Sequence, residues 1–228
     1  MSRSSAIDIQ ELPTELDGDL RELLESLGSL GNAPGWAGMF VQRKAHGLDG
    51  RRALEGFLST YVNEVHGALE LPAVLRAWHY AENGFSRDLI DLDRELSHAS
   101  VLKPFKAASC AVGRRQLSKL RSLRDQRVVQ RYLRAVEEGR AAGWHTVVYG
   151  VLLSIYSIPL RTGLNHLALQ TIGGMIFSAT SSLKLPLSQC AELAQEYGES
   201  LPLLTSRLLK ESKLLNGDTV PDALVVVR

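Results

Sequence analysis

The stretch TVVYGVLLSIYSIPL, residues 146–160, carries no charged residue and is the most apolar part of the chain. It is shorter than the ~20 residues that a membrane-spanning helix needs, and it runs into Pro159, which cannot continue a helix. Val147, Val148, Val151, Leu152 and Ile155 recur at three- and four-residue spacing, the period of an α-helix. A helix that is apolar on every face must be covered on every face. The stretch therefore predicts the central helix of an all-α bundle, over about 144–158, and the rest of the sequence should supply its cover.

Working outward, similar stripes precede and follow it. Leu54, Phe57, Leu58, Tyr61, Val62 and Val65 form one, behind Asp49 as a candidate N-cap. Leu71, Val74, Leu75 and Trp78 form a second, Leu89, Leu92 and Leu96 a third, and Val128, Val129, Tyr132 and Val136 a fourth. Beyond the central stretch come Leu164, Leu167, Ile172 and Ile176, then Leu193, Tyr197, Leu201, Leu204 and Leu208. Asp19 and Glu22 make a capping-box pattern ahead of a further helix. Breakers fall between stripes at Asn83-Gly84, Pro104, Ala141-Ala142-Gly143, Pro159 and Pro186. Alternating strand patterns are nearly absent, the exception being ALVVV at 223–227.

The 228 residues are 45% hydrophobic and 22% charged, enough for one domain with a real core. We expect three parts: a flexible N-terminal segment over 1–18, a helical domain over 19–212 and a tail over 213–228. That tail loses helical periodicity at Asn216-Gly217-Asp218 and ends in apolar residues, a composition suited to ordering on a partner. A formal net charge of +1 argues against a chain that binds nucleic acid by overall charge. Two cysteines, Cys110 and Cys190, make neither a disulfide framework nor a zinc motif, and no secretory signal opens the chain. These features fit a cytoplasmic protein with no membrane association.

Candidate chemistry is sparse. The six histidines (46, 66, 79, 98, 145 and 166) never fall three or four apart, so no pair shares one helix face as a metal site would want. The glycine-rich stretch over 28–40 lacks the Gly-Lys-Ser/Thr ending of a phosphate loop. Cys110, inside a predicted helix, gains nothing from a helix N-terminus to lower its pKa and is better suited to a buried structural role. No hydrolase elbow, metalloprotease motif or dinucleotide fingerprint occurs, so neither an enzyme nor a cofactor is expected.

Two stretches stand out instead. In AASCAVGRR, residues 107–115, small residues at consecutive turns give a helix with little side-chain relief, which lets another backbone approach closely at Gly113. It is followed by a cationic run over 113–134 with eight Arg and Lys against one Asp. The spacing of Arg124, Arg127, Arg131 and Arg134 predicts one helix face, either solvated or docking an anionic partner. Sparse aromatics nearby favour an acidic protein over nucleic acid.

With these residues in place, the chain resembles the urease accessory protein F family. The resemblance lies in DLIDLDRELSHASVLKPFKAASCAVGRRQLSKL at 88–120, HGLDG at 46–50, GWHTVVYGVLL at 143–153 and SATSSLKLPLSQ at 178–189. In order and spacing these cover roughly residues 20 to 209. Asp49 stands where that family usually has Glu. Lys184 stands for a family arginine if one residue is missing from the late turn, and Leu183 does if none is.

The resemblance implies an all-α, homodimeric, non-catalytic scaffold in nickel-urease maturation. Such a scaffold binds accessory protein H partly through its C-terminal tail, and the complex recruits the nickel-delivering GTPase, accessory protein G, to urease. It implies partner-binding roles for Gly47, Leu48 and Asp49, for Gly113 and Arg114, and for Lys184 and Gln189. In the tail it implies such roles for Lys213, Leu214, Leu215 and Val225.

Overall fold

The proline and glycine breakers divide the chain where the sequence predicts, and the result is a succession of helices joined by short turns over residues 50–212, the part that this computed structural model describes. The candidate residues Gly47, Leu48, Asp49, Lys213, Leu214, Leu215 and Val225 lie outside the described residues, as do His46, the 28–40 stretch, the Asp19–Glu22 capping box and ALVVV. The elements are α1 (Gly50–Thr60), a π-helix (Tyr61–Glu70), α2 (Leu71–Glu82), α3 (Ser86–His98), a 3₁₀ segment (Ser100–Phe105) and α4 (Lys106–Lys119). A 3₁₀ turn (Leu120–Ser122), α5 (Arg127–Glu137), α6 (His145–Ile155), α7 (Leu160–Leu183) and α8 (Leu187–Glu211) follow. Among the described residues there is no strand.

The apolar stretch forms α6, and every residue from His145 to Leu153 is buried. Its most extensive contact is with α2, and α4 covers a second side. The α2 contact is backbone to backbone at Gly150, where an added Cβ would lie 2.5 Å from the Val74 carbonyl oxygen and 2.9 Å from the Trp78 nitrogen. Any side chain there would push α2 away. Tyr149 donates its phenol proton to the Gly163 carbonyl at 3.2 Å, tying α6 to α7 across the turn that contains Pro159. The long α7 in turn packs along α8.

One feature of the first stripe is invisible in its spacing. Tyr61–Glu70 winds as a π-helix, and the Leu71 N–H reaches back five residues to the His66 carbonyl. The widened turn directly precedes Pro72, whose ring would collide with the Ala68 carbonyl in a regular α-helix. It also brings together three polar side chains: Tyr61 donates to Glu70 Oε2 at 2.7 Å, and His66 Nδ1 lies 2.7 Å from the same oxygen.

The arginine stripe needs correction. Helix α5 begins at Arg127, after a non-helical turn that contains Arg124, so Arg124 does not share a helix face with the others. The local sequence Leu-Arg-Asp-Gln interrupts the helix: α4 has ended, and the Leu123–Gln126 turn is closed by the Gln126 N–H on the Leu123 carbonyl at 3.2 Å. Arg127, Arg131 and Arg134 remain together on the exposed face of α5, opposite buried Val129, Tyr132 and Leu133.

Candidate functional site

The small-residue stretch forms α4, and its packing is that of a seam. Ala108, Ser109, Cys110, Val112 and Gly113 are all buried. A Cβ on Gly113 would collide with the Gly143 carbonyl oxygen and lie 2.8 Å from the His145 nitrogen. Ser109 Oγ accepts the His145 N–H at 3.1 Å, so α4 both abuts the start of α6 and satisfies one of its free donors. Beside Gly113, the exposed Arg114 donates from Nε to the Ala142 carbonyl at 2.8 Å. Of this pair, therefore, Arg114 is the residue with surface to offer.

The start of α6 is completed by a residue that the spacing argument passed over. Asp93 on α3 is fully buried. Its carboxylate accepts the N–H groups of Ala142, of Gly143 at 2.9 Å and of Trp144 at 3.0 Å, and the Tyr132 hydroxyl at 2.6 Å. A negative charge at a helix N-terminus is favoured by the orphan N–H groups and by the helix dipole. Burial and the neighbouring Asp93 carboxylate together push the Tyr132 phenol well above its usual range, so Tyr132 stays a donor. The Asp93 carboxylate thus joins α3, α5 and the α5–α6 loop. Its position in the apolar stripe, four residues after Leu89 and three before Leu96, was the available signal.

Cys110 lies on the same seam. Burial first, and then the Asp93 charge, push its thiol up to about 11, although Arg114 and Lys106 pull the other way. A thiol of that kind is a poor nucleophile at neutral pH. His145 Nδ1 lies 3.1 Å from Gln116 Oε1, and His66 is held by Glu70. Among the described residues no group of three or more His, Cys, Asp or Glu is placed to hold a metal ion.

The late turn meets the N-terminal end of the described chain. Lys184, exposed and with φ +54°, ends α7, and Gln189 lies in the first turn of α8, its N–H on the Pro186 carbonyl at 3.1 Å. Gly50, the last residue of HGLDG, sits against this turn, 3.1 Å from its would-be Cβ to the Leu183 carbonyl. Arg51 next to it pairs with Glu192 at 2.6 Å and Glu55 at 2.8 Å. Gly50 and Arg51 thus meet the 183–192 part of the chain, far away in sequence.

A groove opens between α3, α4, α5 and the α5–α6 loop, with a volume of about 620 Å³. Arg94, Lys106, Arg114, Arg121 and Arg140 line it, together with His98, over a floor that includes Leu117, Leu133 and Val136. Sequence spacing could not assemble it, since its walls come from four separate segments.

The described residues define an all-α protein whose distinctive small and acidic residues fasten helices to one another. A family model, UreF, matches residues 48–191, more than half of the chain, and the protein belongs to the urease accessory protein F family. Membership gives it an accessory role in urease maturation. A search of curated proteins finds no match to the chain. No helix among the described residues is long and apolar enough to cross a membrane.

Proposed function

We propose that this protein is a non-catalytic adaptor in nickel-urease maturation. It works in the cytoplasm as a homodimer, binds accessory protein H and helps to bring the nickel-delivering GTPase, accessory protein G, to urease. The observation that carries the reading is the family match over residues 48–191. The geometry is consistent with it: the seam residue Gly113 and the buried carboxylate Asp93 are engaged in helix packing, and the Cys110 thiol is held protonated.

In this reading the partner surfaces are the 46–50 and 182–189 stretches, with Lys184 and Gln189, Arg114 beside the seam, and the tail from Lys213. Such surfaces need shape and charge rather than a reaction centre, which agrees with the way the polar side chains are used. A second reading is favoured by one observation, the exposed row Arg127, Arg131 and Arg134, none of which makes an ion pair among the described residues. That row suits an anionic partner, protein or nucleic acid.

The functional test is the nickel content of urease purified from cells with and without this protein. The proposal expects a nickel-poor, weakly active urease in its absence and recovery when the gene is returned. Full nickel occupancy in its absence would overturn the proposal.

A further inference from the structure

The groove beside the seam has a chemistry of which the adaptor reading uses only Arg114. Its charged lining comprises five permanent cations and two carboxylates. Asp93 is saturated by four donors, Glu137 is paired with Arg121, and Arg94 and Arg140 are paired with Asp91 and Glu138, which leaves Lys106 and Arg114 as the lining cations without an ion pair among the described residues. Arg94 and Arg114 are fixed by Nε bonds to the backbone of the α5–α6 loop, at Arg140 and Ala142. Their planar heads are thereby pre-oriented, which lowers the entropy lost on binding an anion. Lys106 makes no ion pair among the described residues, and it shares one face of α4 with Cys110 and Arg114 at four-residue spacing.

The cations are strung out rather than gathered at one point. From Lys106 to Lys119 α4 runs roughly 20 Å at the α-helical rise, and Arg121 follows in the 3₁₀ turn at its far end. That is too long for a single phosphate or carboxylate and matches about four turns of a helix or about six residues of extended chain. The floor between the cations is apolar, and no Phe, Tyr or Trp is among the lining residues. Single-stranded nucleic acid binds through aromatic stacking as well as charge, so this floor suits aliphatic side chains better than bases.

We propose that the groove formed by α3, α4, α5 and the α5–α6 loop is a docking site for an acidic, leucine-bearing segment of a partner protein. Carboxylates of the segment engage Lys106 and Arg114 and share Arg121 with Glu137, and its aliphatic side chains cover Leu117, Leu133 and Val136. The site rests on the adaptor reading only in that it gives the adaptor a surface built from residues other than those of the tail. It also places the Arg114 surface opposite a definite chemistry. The exposed row on α5 is a different surface, which makes it a useful control.

The test uses the full chain and three fluorescent probes: a sixteen-residue helical peptide with one Leu face and one Glu face, its Glu→Gln counterpart, and a single-stranded oligonucleotide. Anisotropy titrations at low and high salt are expected to show binding of the acidic peptide that weakens steeply with salt. The Gln peptide is expected to bind at least roughly tenfold more weakly, as is the acidic peptide to Lys106→Glu and to Arg121→Glu. Arg131→Glu is expected to match the parent protein, and circular dichroism confirms that each variant is folded. Arg114→Gln serves as a second groove variant that does not reverse charge.

Failure of the acidic peptide to bind, equal binding of the Gln peptide, or indifference to the groove variants would overturn the proposal. Tighter, groove-dependent binding of the oligonucleotide would overturn it in favour of nucleic acid. Binding of accessory protein H is measured in parallel. Loss of peptide binding alone removes the groove, whereas absence of the H complex alone removes the adaptor reading.

Discussion

Replacing Gly113 by alanine tests the seam with a single methyl group. Two effects of opposite sign compete. Alanine is favoured over glycine in a helix interior by about 1 kcal/mol. Against this, the new Cβ would collide with the Gly143 carbonyl oxygen and lie 2.8 Å and 2.9 Å from the His145 nitrogen and the Trp144 carbonyl carbon. All three are backbone atoms, held by Asp93 and Ser109, so no side chain can swing away to make room. Overpacking a close-packed contact costs typically about 1–3 kcal/mol, and a three-atom backbone clash belongs at or above the upper end. The net expectation is a loss of about 2 kcal/mol.

Urea denaturation followed by circular dichroism should show this as a midpoint lowered by roughly 0.7 M for a slope near 3 kcal/mol/M. The thermal midpoint should fall by about 4–8 °C. Gly198→Ala, in α8 with nothing within 4 Å of its would-be Cβ, is the internal control and should instead be neutral or stabilising, by up to about 1 kcal/mol. A Gly113→Ala protein as stable as the parent, with Gly198→Ala behaving the same way, would refute the claim that the two backbones touch at the seam.

Asp93→Ala should cost at least about 3 kcal/mol, because it strands three N–H groups and a hydroxyl in the interior, and thermal denaturation measures the loss. Tyr132→Phe removes one of those bonds and should cost about 1.5 kcal/mol by the same assay. The Cys110 thiol, pushed up to about 11, should resist iodoacetamide in the native protein near pH 8 and react readily once urea has unfolded the chain, as read by mass spectrometry in a Cys190→Ser background. Because the folded pKa lies above the ordinary thiol value of 9.0, the protonated form is favoured by folding. The associated stability is complete below about pH 9 and declines as pH rises toward 11, a trend that denaturation at stepped pH would detect.

Much of the architecture was legible because it follows from local rules. The uncharged 146–160 stretch forms the buried α6, and Gly84, Pro159 and Pro186 mark helix ends because their backbone chemistry leaves little choice. Gly113 was legible as a close-approach position because a glycine with small neighbours, deep inside a helix, needs a packing reason. The limits were equally physical. The π-helix over 61–70 preserves the apolar stripe, so spacing alone cannot distinguish it from a regular turn. The role of Asp93 depends on a loop about fifty residues later, which only the folded chain brings to it. Arg124 was misplaced because charge spacing was extended through a turn that ends one helix before the next begins. The groove is built from four segments whose proximity is long-range.

The central claim is that this chain acts by presenting surfaces to other proteins of urease maturation. Light scattering coupled to size-exclusion chromatography, on the purified chain mixed with its cognate accessory protein H, tests it most directly. The account predicts one co-eluting species with a mass that fits a dimer of each protein, lost when residues 213–228 are deleted. Two separate peaks at micromolar concentration, with the intact chain shown to be folded, would contradict it.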